Sequence, residues 1–184
     1  MRTSFLSKTD LMKIGFKHVG KNVSISRNSS IYSPEQMCIA DNVRIDDFCI
    51  LSGNITIGAY VHISAYTALY GKAGISIDNF VSISSRVSIY SVNDDYSGEH
   101  LTNPTVPEEL TNITAKPVYI QKHVIIGAGS IVLPGVTIHE GAAIGALSLV
   151  NRSLNPWIIY AGIPCKPIKN RKKDILNLER KLKQ

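Results

Sequence analysis

The chain has 184 residues, 44% of them apolar and 18% charged, which suits one folded domain with a buried core and excludes a disordered chain. No apolar run is long enough to span a membrane, so we expect no membrane insertion. The net charge of +6 comes from residues 166–184, with eight basic against two acidic residues, and such a local charge suits a phosphate-bearing ligand better than nucleic acid.

The N-terminal segment, residues 1–18, predicts a short helix. Leu11 and Ile14 supply apolar positions, and Thr9 or Asp10 is the expected N-cap. The segment is polar and interrupted by lysine and aspartate, so we do not interpret it as a signal peptide. The three cysteines lack the spacing of a metal site. We therefore expect a cytoplasmic protein with reduced thiols.

Aliphatic residues recur every six positions through most of residues 19–154. A period of six fits neither an α-helix nor a single strand, and it indicates a β-helix in which each short strand forms one side of a coil. The first positions of the clearest run are Ile120, Ile126, Val132, Ile138, Ile144 and Val150. Glycine and proline between them suit sharp corners.

Two irregularities lie between Ile75 and this run. After Ile75 the register slips by two, and we expect a bulge or a widened corner to absorb the slip. Residues 92–117 then lose the period and hold three prolines, which is typical of a functional excursion. Their acids, histidine and tyrosine favour an ordered one. The final segment, residues 155–184, closes the chain and predicts a second helix from about Lys172.

The sixes IGAGSI and IGALSL resemble the motif of the hexapeptide-repeat acyltransferases: an aliphatic residue, then Gly, Ala or Asp, two free positions, a small residue and one more. The resemblance covers nearly the whole chain. It implies an all-β fold, a left-handed parallel β-helix with three sixes per coil, and assembly as a homotrimer. Within the family, the chain is similar to sugar acetyltransferases, both galactoside or maltose O-acetyltransferases and nucleotide-amino-sugar N-acetyltransferases.

The segment YAGIPCKPIKNR after the last coil resembles the family's closing element, AGxPAKxI, which packs near the coenzyme A nucleotide. The resemblance implies that Lys166 and Lys169 lie near the phosphates of the cosubstrate acetyl-CoA and that Arg171 reaches them. Cationic side chains form charge-assisted hydrogen bonds with phosphates, which agrees with this interpretation. The alternative is that these residues form a solvated tail.

The same resemblance places the pantetheine arm along a corner without bulky side chains. Small residues occupy the second and third positions of successive sixes on that corner: Gly127, Ala128, Gly145 and Ala146. They would let the arm approach the backbone, although they also suit a corner that only turns the chain.

The family's sugar O-acetyltransferases carry a general-base histidine at the start of the large loop, after a coil similar to ISSRVSIYSV. Here that alignment places Asp94 at the position. A hydroxyl acceptor needs a base such as histidine, whereas an amine can attack a thioester once a carboxylate positions it and accepts its proton. We therefore predict Asp94 as a catalytic group and a nucleotide-linked amino sugar of surface-polysaccharide synthesis as the acceptor.

His62 is the second predicted catalytic group, because its register suggests an outward corner position near tyrosines, which is typical of a sugar-binding surface. In one chain it falls on a different corner from Asp94, and the two could meet between subunits of the trimer. The expected substrate-binding residues are Tyr66, Tyr70, Asp95 and His100.

Three other functions stay open from the sequence. O-acetylation of a sugar hydroxyl would use His62 or His100 as the base. A zinc-dependent carbonic anhydrase of the same fold needs three metal histidines at set corners, and the five histidines lack that spacing, so we expect no metal. A non-catalytic scaffold would leave the loop and the basic end without a role. His123 and His139 are interpreted as structural, because no acidic neighbour accompanies them in the pattern.

Overall fold

The computed structural model describes residues 4–182; the outer ends of both predicted terminal segments lie outside this range. The helices are α1 (Lys8–Ile14) and α2 (Ile175–Leu182), with 3-10 turns at Pro34–Gln36 and Glu108–Leu110. The strands are β1 (His18–Val19), β2 (Ser24–Ile25), β3 (Ser30–Tyr32), β4 (Cys38–Ile39), β5 (Arg44–Ile45), β6 (Ile50–Ile57), β7 (His62–Ile63), β8 (Ala68–Ile77), β9 (Ser82–Ile83), β10 (Ser88–Tyr90), β11 (Val92–Asn93), β12 (Thr114–Ala115), β13 (Val118–Ile120), β14 (Ile125–Ile126), β15 (Ile131–Val132), β16 (Thr137–Ile138), β17 (Ala143–Ile144), β18 (Leu149–Val150), β19 (Ile158–Ala161) and β20 (Lys166–Asn170).

The coils stack into three parallel sheets, which form the faces of a prism. Face A pairs β1, β4, β6, β8, β13 and β16 in that order. Face B pairs β2, β5, β7, β9, β14, β17 and β19, and face C pairs β3, β6, β8, β10, β15 and β18. The long strands β6 and β8 continue from face C into face A. The predicted fold, a left-handed parallel β-helix, is confirmed, and it has about seven turns.

The core is a set of aliphatic columns that run through the coils. On face B the first positions are all at most 3% exposed: Ile25, Ile45, Ile63, Ile83, Ile126 and Ile144. Burial of one such side chain contributes about 1.5–3 kcal/mol. Cys49 fills a fifth position as expected, and burial raises the pKa of its thiol to about 11. All three cysteines are free.

The register slip is absorbed as a bulge in β8. Gly53 pairs with Gly71, but Ile55 pairs with Ile75, so β8 holds two more residues than β6 between these pairs. The first position of the next coil is therefore Ile77 and not Ile75. Ile75 instead takes the buried place two residues earlier, at 2% exposure.

The insertion, residues 92–117, has secondary structure of its own. β11 and β12 pair antiparallel at its neck. The coils on either side still stack directly, because β10 pairs with β15 and β9 pairs with β14. The insertion therefore leaves the prism edge between faces C and A without interrupting the stack.

Both terminal helices are shorter than predicted. The N-cap of α1 is Ser7, whose hydroxyl accepts from the Asp10 backbone N–H at 3.1 Å, so the expectation of Thr9 or Asp10 was wrong. Gly15 ends the helix in the left-handed conformation, with φ of 86°. α2 begins at Ile175, later than predicted.

Aromatic residues stack along the edge between faces A and B. Tyr60, Phe80, His123 and Trp157 have φ of 59°, 59°, 60° and 56°. The left-handed conformation costs a non-glycine residue about 1–2 kcal/mol, and each aromatic contact returns about 0.5–1.5 kcal/mol. Ring centroids lie 4.9 Å apart for Tyr60–Phe80 and 5.3 Å for Phe80–His123. Trp157 reaches His123, at 6.3 Å, by lying over Gly141, where a Cβ would be 2.4 Å from its ring.

We expect Gly141→Ala to lower the free energy of unfolding by about 2–5 kcal/mol, because it adds a clash with Trp157 to the strain of φ at 67°. Gly98→Ala is the matched control, since Gly98 has φ of 85° but nothing within 4 Å of a built Cβ. It should lose only about 1–2 kcal/mol. Urea unfolding of both variants checks this, and equal losses would show that Trp157 does not constrain the corner.

Candidate active site

Ser91 anchors the neck of the insertion. It is fully buried, and its hydroxyl donates to the Tyr70 carbonyl and accepts from the Ala73 backbone N–H, both at 2.9 Å. Its own carbonyl accepts from the Lys116 N–H at 2.9 Å, which ties the returning chain to the departing one. The β8 bulge and both ends of the insertion are thereby fixed to one residue. The side chains beside the neck consequently have defined positions.

Asp94 follows β11 directly and is exposed. It lines a cavity of about 320 Å³ between the bulge and the insertion. The other lining residues are Lys72, Val92, Asn103, Pro104, Val106, Glu108, Thr111 and Ile113. Within residues 4–182 the Asp94 carboxylate has no hydrogen-bond or ion-pair partner. The carboxylate is thus available to a ligand that enters this cavity.

Asp95 and His100 form a pair on the insertion. His100 Nδ1 lies 2.9 Å from Asp95 Oδ2, and Asp95 Oδ1 accepts from the Ser97 backbone N–H at 2.8 Å. The hydrogen bond from the Ser97 backbone, followed by that from His100, lowers the pKa of Asp95. The contact orients the imidazole through Nδ1 and leaves Nε2 for another partner, which is the arrangement of a histidine that can accept a proton.

His62 lies in the middle of face B, in β7, and not at a corner as predicted. The prediction was wrong because an outward-pointing residue need not lie at a corner. His62 immediately precedes the first position Ile63, and both belong to the flat strand β7. Its Nε2 lies 2.7 Å from Asp46 Oδ2, and Arg44 Nε donates to Asp46 Oδ1 at 2.7 Å. Partial burial raises the pKa of Asp46, but the hydrogen bonds from Arg44 and His62 outweigh this and lower it overall.

The two predicted tyrosines stand in different places. Tyr66 is exposed at the edge between faces B and C and stacks on Phe48 at 5.0 Å. Tyr70 lies in β8 on face C and stacks on Tyr90, the residue before Ser91, at 5.1 Å. The structure thus gathers Tyr70, Asp94, Asp95 and His100 around the insertion and leaves His62 and Tyr66 apart from it. No hydrogen bond or ion pair among the described residues joins His62 to Asp94.

The predicted pantetheine corner consists of closely stacked backbone. The Gly127 N–H donates to the Ile144 carbonyl at 2.8 Å, and the Leu147 N–H donates to the Ala128 carbonyl at 2.8 Å. A Cβ at Gly127 would lie 2.4 Å from the Ala146 backbone nitrogen, and one at Gly145 would lie 2.9 Å from the Ala161 Cβ. Glycine is therefore required here by the spacing of the coils, and contact with the pantetheine arm stays a prediction.

The basic closing element forms an antiparallel hairpin from β19 and β20. Lys166 pairs with Ala161 and Lys169 with Ile159, and both lysines are exposed. Arg171 is different, because its Nη1 donates to the His123 carbonyl at 2.7 Å and the Gly141 carbonyl at 3.1 Å. Burial lowers the pKa of Arg171. Its guanidinium thus ties the closing hairpin to two coils, whereas both lysines have their ammonium groups in solvent.

Three residues with clear roles in the structure were missed in the sequence. Asp46 pairs with His62, and Lys72 lines the cavity that holds Asp94. Glu179 of α2 contacts His123 Nε2 at 2.8 Å and Lys122 Nζ at 2.7 Å, so His123 has an acidic neighbour in space that the sequence pattern does not show. The two-residue slip after Ile75 was a signal for Lys72, but nothing local predicts a contact between residues 123 and 179.

Two further findings concern metal binding and membrane-spanning helices. Within residues 4–182, no cluster of three or more histidine, cysteine, aspartate and glutamate side chains could hold a metal ion. Neither described helix is long and apolar enough to cross a membrane.

Comparison with known proteins places the chain among transferases. The family model for the bacterial transferase hexapeptide (six repeats) matches residues 117–152. The dTDP-4-amino-4,6-dideoxy-D-glucose acyltransferase of Escherichia coli is 51% identical over 179 residues, which cover 96% of this chain and 93% of that protein.

Solved structures of AntD, an N-acyltransferase from Bacillus cereus, are also similar. A variant in complex with dTDP-4-amino-4,6-dideoxyglucose and coenzyme A is 52% identical, has a TM-score of 0.97 and covers 99% of this chain and 98% of its own. A complex with dTDP and 3-hydroxybutyryl-CoA is 53% identical, has a TM-score of 0.96 and covers 98% and 97% of the two chains. The predicted acyltransferase activity is confirmed, and the chain belongs to the hexapeptide-repeat acyltransferases, in the group that includes the E. coli dTDP-4-amino-4,6-dideoxy-D-glucose acyltransferase.

Proposed function

We propose that this chain transfers an acetyl group from acetyl-CoA to the amino group of a nucleotide-linked amino sugar. The observation that carries the proposal is the unpaired carboxylate of Asp94 in the cavity at the neck of the insertion. A carboxylate suits the ammonium form of a sugar amine, because charge-assisted hydrogen bonds are stronger than neutral ones. The acceptors named for the E. coli and B. cereus relatives support the same class of substrate.

The chemistry requires the amine in its neutral form. Asp94 would bind the ammonium group, hold it in the cavity and accept the proton that it releases. The neutral nitrogen then attacks the carbonyl carbon of the thioester, so that a C–N bond forms while the C–S bond breaks. The nitrogen loses a proton as it becomes an amide, and the leaving thiolate takes up a proton. The products are the N-acetylated sugar and coenzyme A thiol. In this scheme Asp94 accepts the proton without a histidine partner from its own subunit.

Lys166 and Lys169 are the residues proposed to bind the phosphates of coenzyme A. They are exposed on β20, where they can turn toward a flexible polyanion. Arg171 is proposed to act with them by holding the closing hairpin against the coils, given its bonds to backbone carbonyls. Gly127, Ala128, Gly145 and Ala146 would form the surface along which the pantetheine arm lies.

The proposed setting is surface-polysaccharide synthesis, including that of lipopolysaccharide, in the cytoplasm. Nucleotide-linked sugars are the donors from which such polymers are built, and N-acetylation would precede transfer of the sugar.

We also propose a homotrimer in which each site lies between two subunits. The exposed ring stack of Phe48 and Tyr66 supports this, because large apolar surfaces on one chain commonly mark contacts between subunits.

The Asp95–His100 pair favours a second candidate, O-acetylation of a sugar hydroxyl. A histidine oriented through Nδ1 by a carboxylate can act as general base through Nε2.

The test of the proposed function is to incubate the protein with acetyl-CoA and a panel of nucleotide amino sugars, nucleotide sugars and free sugars. We expect N-acetylated nucleotide amino sugar by mass spectrometry. Acetylation of plain sugars alone would favour the hydroxyl candidate, and no transfer to any acceptor would favour a scaffold.

We predict that Asp94→Asn lowers turnover by about a hundred- to ten-thousandfold, because the carboxylate positions and deprotonates the amine. The loss should shrink as the pH rises from 6 to 9, since more of the acceptor is then neutral without help. Glu109→Gln, on an exposed acid of the same insertion outside the cavity, is the control and should stay near wild type. A loss that does not change with pH would argue against an amine acceptor.

His62→Ala tests the second catalytic group. If His62 acts from a neighbouring subunit, turnover should fall strongly while the melting temperature stays nearly constant, because Asp46 keeps its bond to Arg44. Full activity of this variant at every pH would remove His62 from the site and leave His100 as the remaining histidine candidate.

Lys166→Glu should weaken coenzyme A binding by about tenfold or more, because it replaces a phosphate partner with a repelling charge. Lys181→Glu is the matched control, since Lys181 carries the same charge on α2 outside the closing hairpin. Titration calorimetry compares the two variants. Equal losses would assign the effect to the general charge of the C-terminal segment.

Sedimentation equilibrium tests the oligomer. At micromolar protein we expect the mass of a trimer. The mass of a monomer would contradict a site built between subunits.

A further inference from the structure

The departures from the six-residue period lie along one edge of the prism, between faces C and A. On the other two edges, successive first positions are six apart, as from Ile77 to Ile83 and from Ile83 to Ile89. On the C-to-A edge, the β8 bulge and residues 92–117 interrupt consecutive turns. The bulge and the insertion are therefore neighbours in space, one coil apart.

The bulge has a fixed shape. A Cβ at Gly71 would lie 2.9 Å from the Asn54 carbonyl oxygen and from an Ile55 side-chain carbon, and Gly74 has φ of 106°. The backbone N–H between them, at Ala73, donates to Ser91 at the neck. This close approach and this bond fix the backbone of the bulge, so the bulge holds the Lys72 backbone at the neck of the insertion.

Lys72 is the only lysine, arginine or histidine among the residues that line the cavity with Asp94. It is exposed, and no contact within residues 4–182 occupies its ammonium group. The cavity thus has one cationic group from the bulge and acidic groups, Asp94 and Glu108, from the insertion. Such a lining suits a ligand that is cationic at one end and anionic at the other.

We propose that Lys72 binds the diphosphate of the nucleotide-linked amino sugar, an assignment that rests on the proposed function. In a 4-amino sugar linked through C1, the amine and the diphosphate lie at opposite ends of the ring. Asp94 takes the ammonium end and Lys72 the diphosphate end. Coenzyme A also carries a diphosphate, but the lysines proposed for it are on β20, whose partner β19 lies in the last coil, beyond the two coils that follow the insertion.

The test is titration calorimetry with wild type, Lys72→Met and Lys72→Arg, using thymidine, dTDP and coenzyme A as separate ligands. Lys72→Met should bind dTDP about tenfold or more weakly, as loss of a charge-assisted bond predicts. Thymidine and coenzyme A should bind as they do to wild type, and Lys72→Arg should recover part of the dTDP affinity. Lys116→Met, at an exposed lysine of the neck outside the cavity, is the control and should leave dTDP affinity unchanged.

Two outcomes would overturn the assignment of Lys72. Either dTDP binds Lys72→Met as tightly as wild type, or the variant loses affinity for coenzyme A rather than for dTDP. Both leave the proposed function intact, because wild type still binds dTDP and transfers the acyl group. If wild type binds no dTDP and acylates only free sugars, the nucleotide-linked acceptor is wrong, and the role of Lys72 falls with it.

Discussion

The structure depends on the stacking of buried aliphatic side chains from each coil onto the next. A coil of a β-helix cannot bury its inner side chains alone, so each turn is stable only with neighbours in the same register. Ile83 must therefore meet Ile126 although the insertion separates them along the chain, and the pairing of β9 with β14 shows that it does. Extra residues can be accommodated only where they leave this column undisturbed. The edge between faces C and A accepts them, and the residues proposed to bind the acceptor sugar lie there.

The closing segment packs against the coils at the C-terminal end of the β-helix. At the edge between faces A and B, Phe80, His123 and Trp157 have the left-handed backbone conformation. Stacking of their rings offsets the energetic cost of this conformation. Arg171 then bonds to carbonyls of this edge, and Glu179 pairs with His123 and Lys122. The pairing of this largely buried carboxylate with Lys122 is costly to break, because removal of the lysine leaves a buried charge. The basic C-terminal segment is thus partly structural, and its exposed lysines are left for ligands.

The sequence predicted most of the fold because a period of six is visible among residues that are close together in the chain. Isoleucine and valine at fixed intervals determined the coils, and loss of the period located the insertion. The sequence could not locate contacts between distant segments. His62 was placed at a corner because register alone does not separate a flat strand from a turn, and the Glu179 partner of His123 lies 56 residues away. Lys72 was missed for the same reason, since its importance follows from a cavity that forms only when the bulge meets the insertion.

The central claim is that Asp94 and the cavity at the neck of the insertion receive the sugar amine. A crystal structure of the protein with coenzyme A and a dTDP-linked 4-amino sugar tests it most directly. We predict the amine nitrogen within about 3 Å of an Asp94 carboxylate oxygen, a charge-assisted hydrogen bond, with the coenzyme sulfur on the other side of the nitrogen. A complex in which the amine instead contacts His62 or His100, with Asp94 facing solvent, would contradict the account.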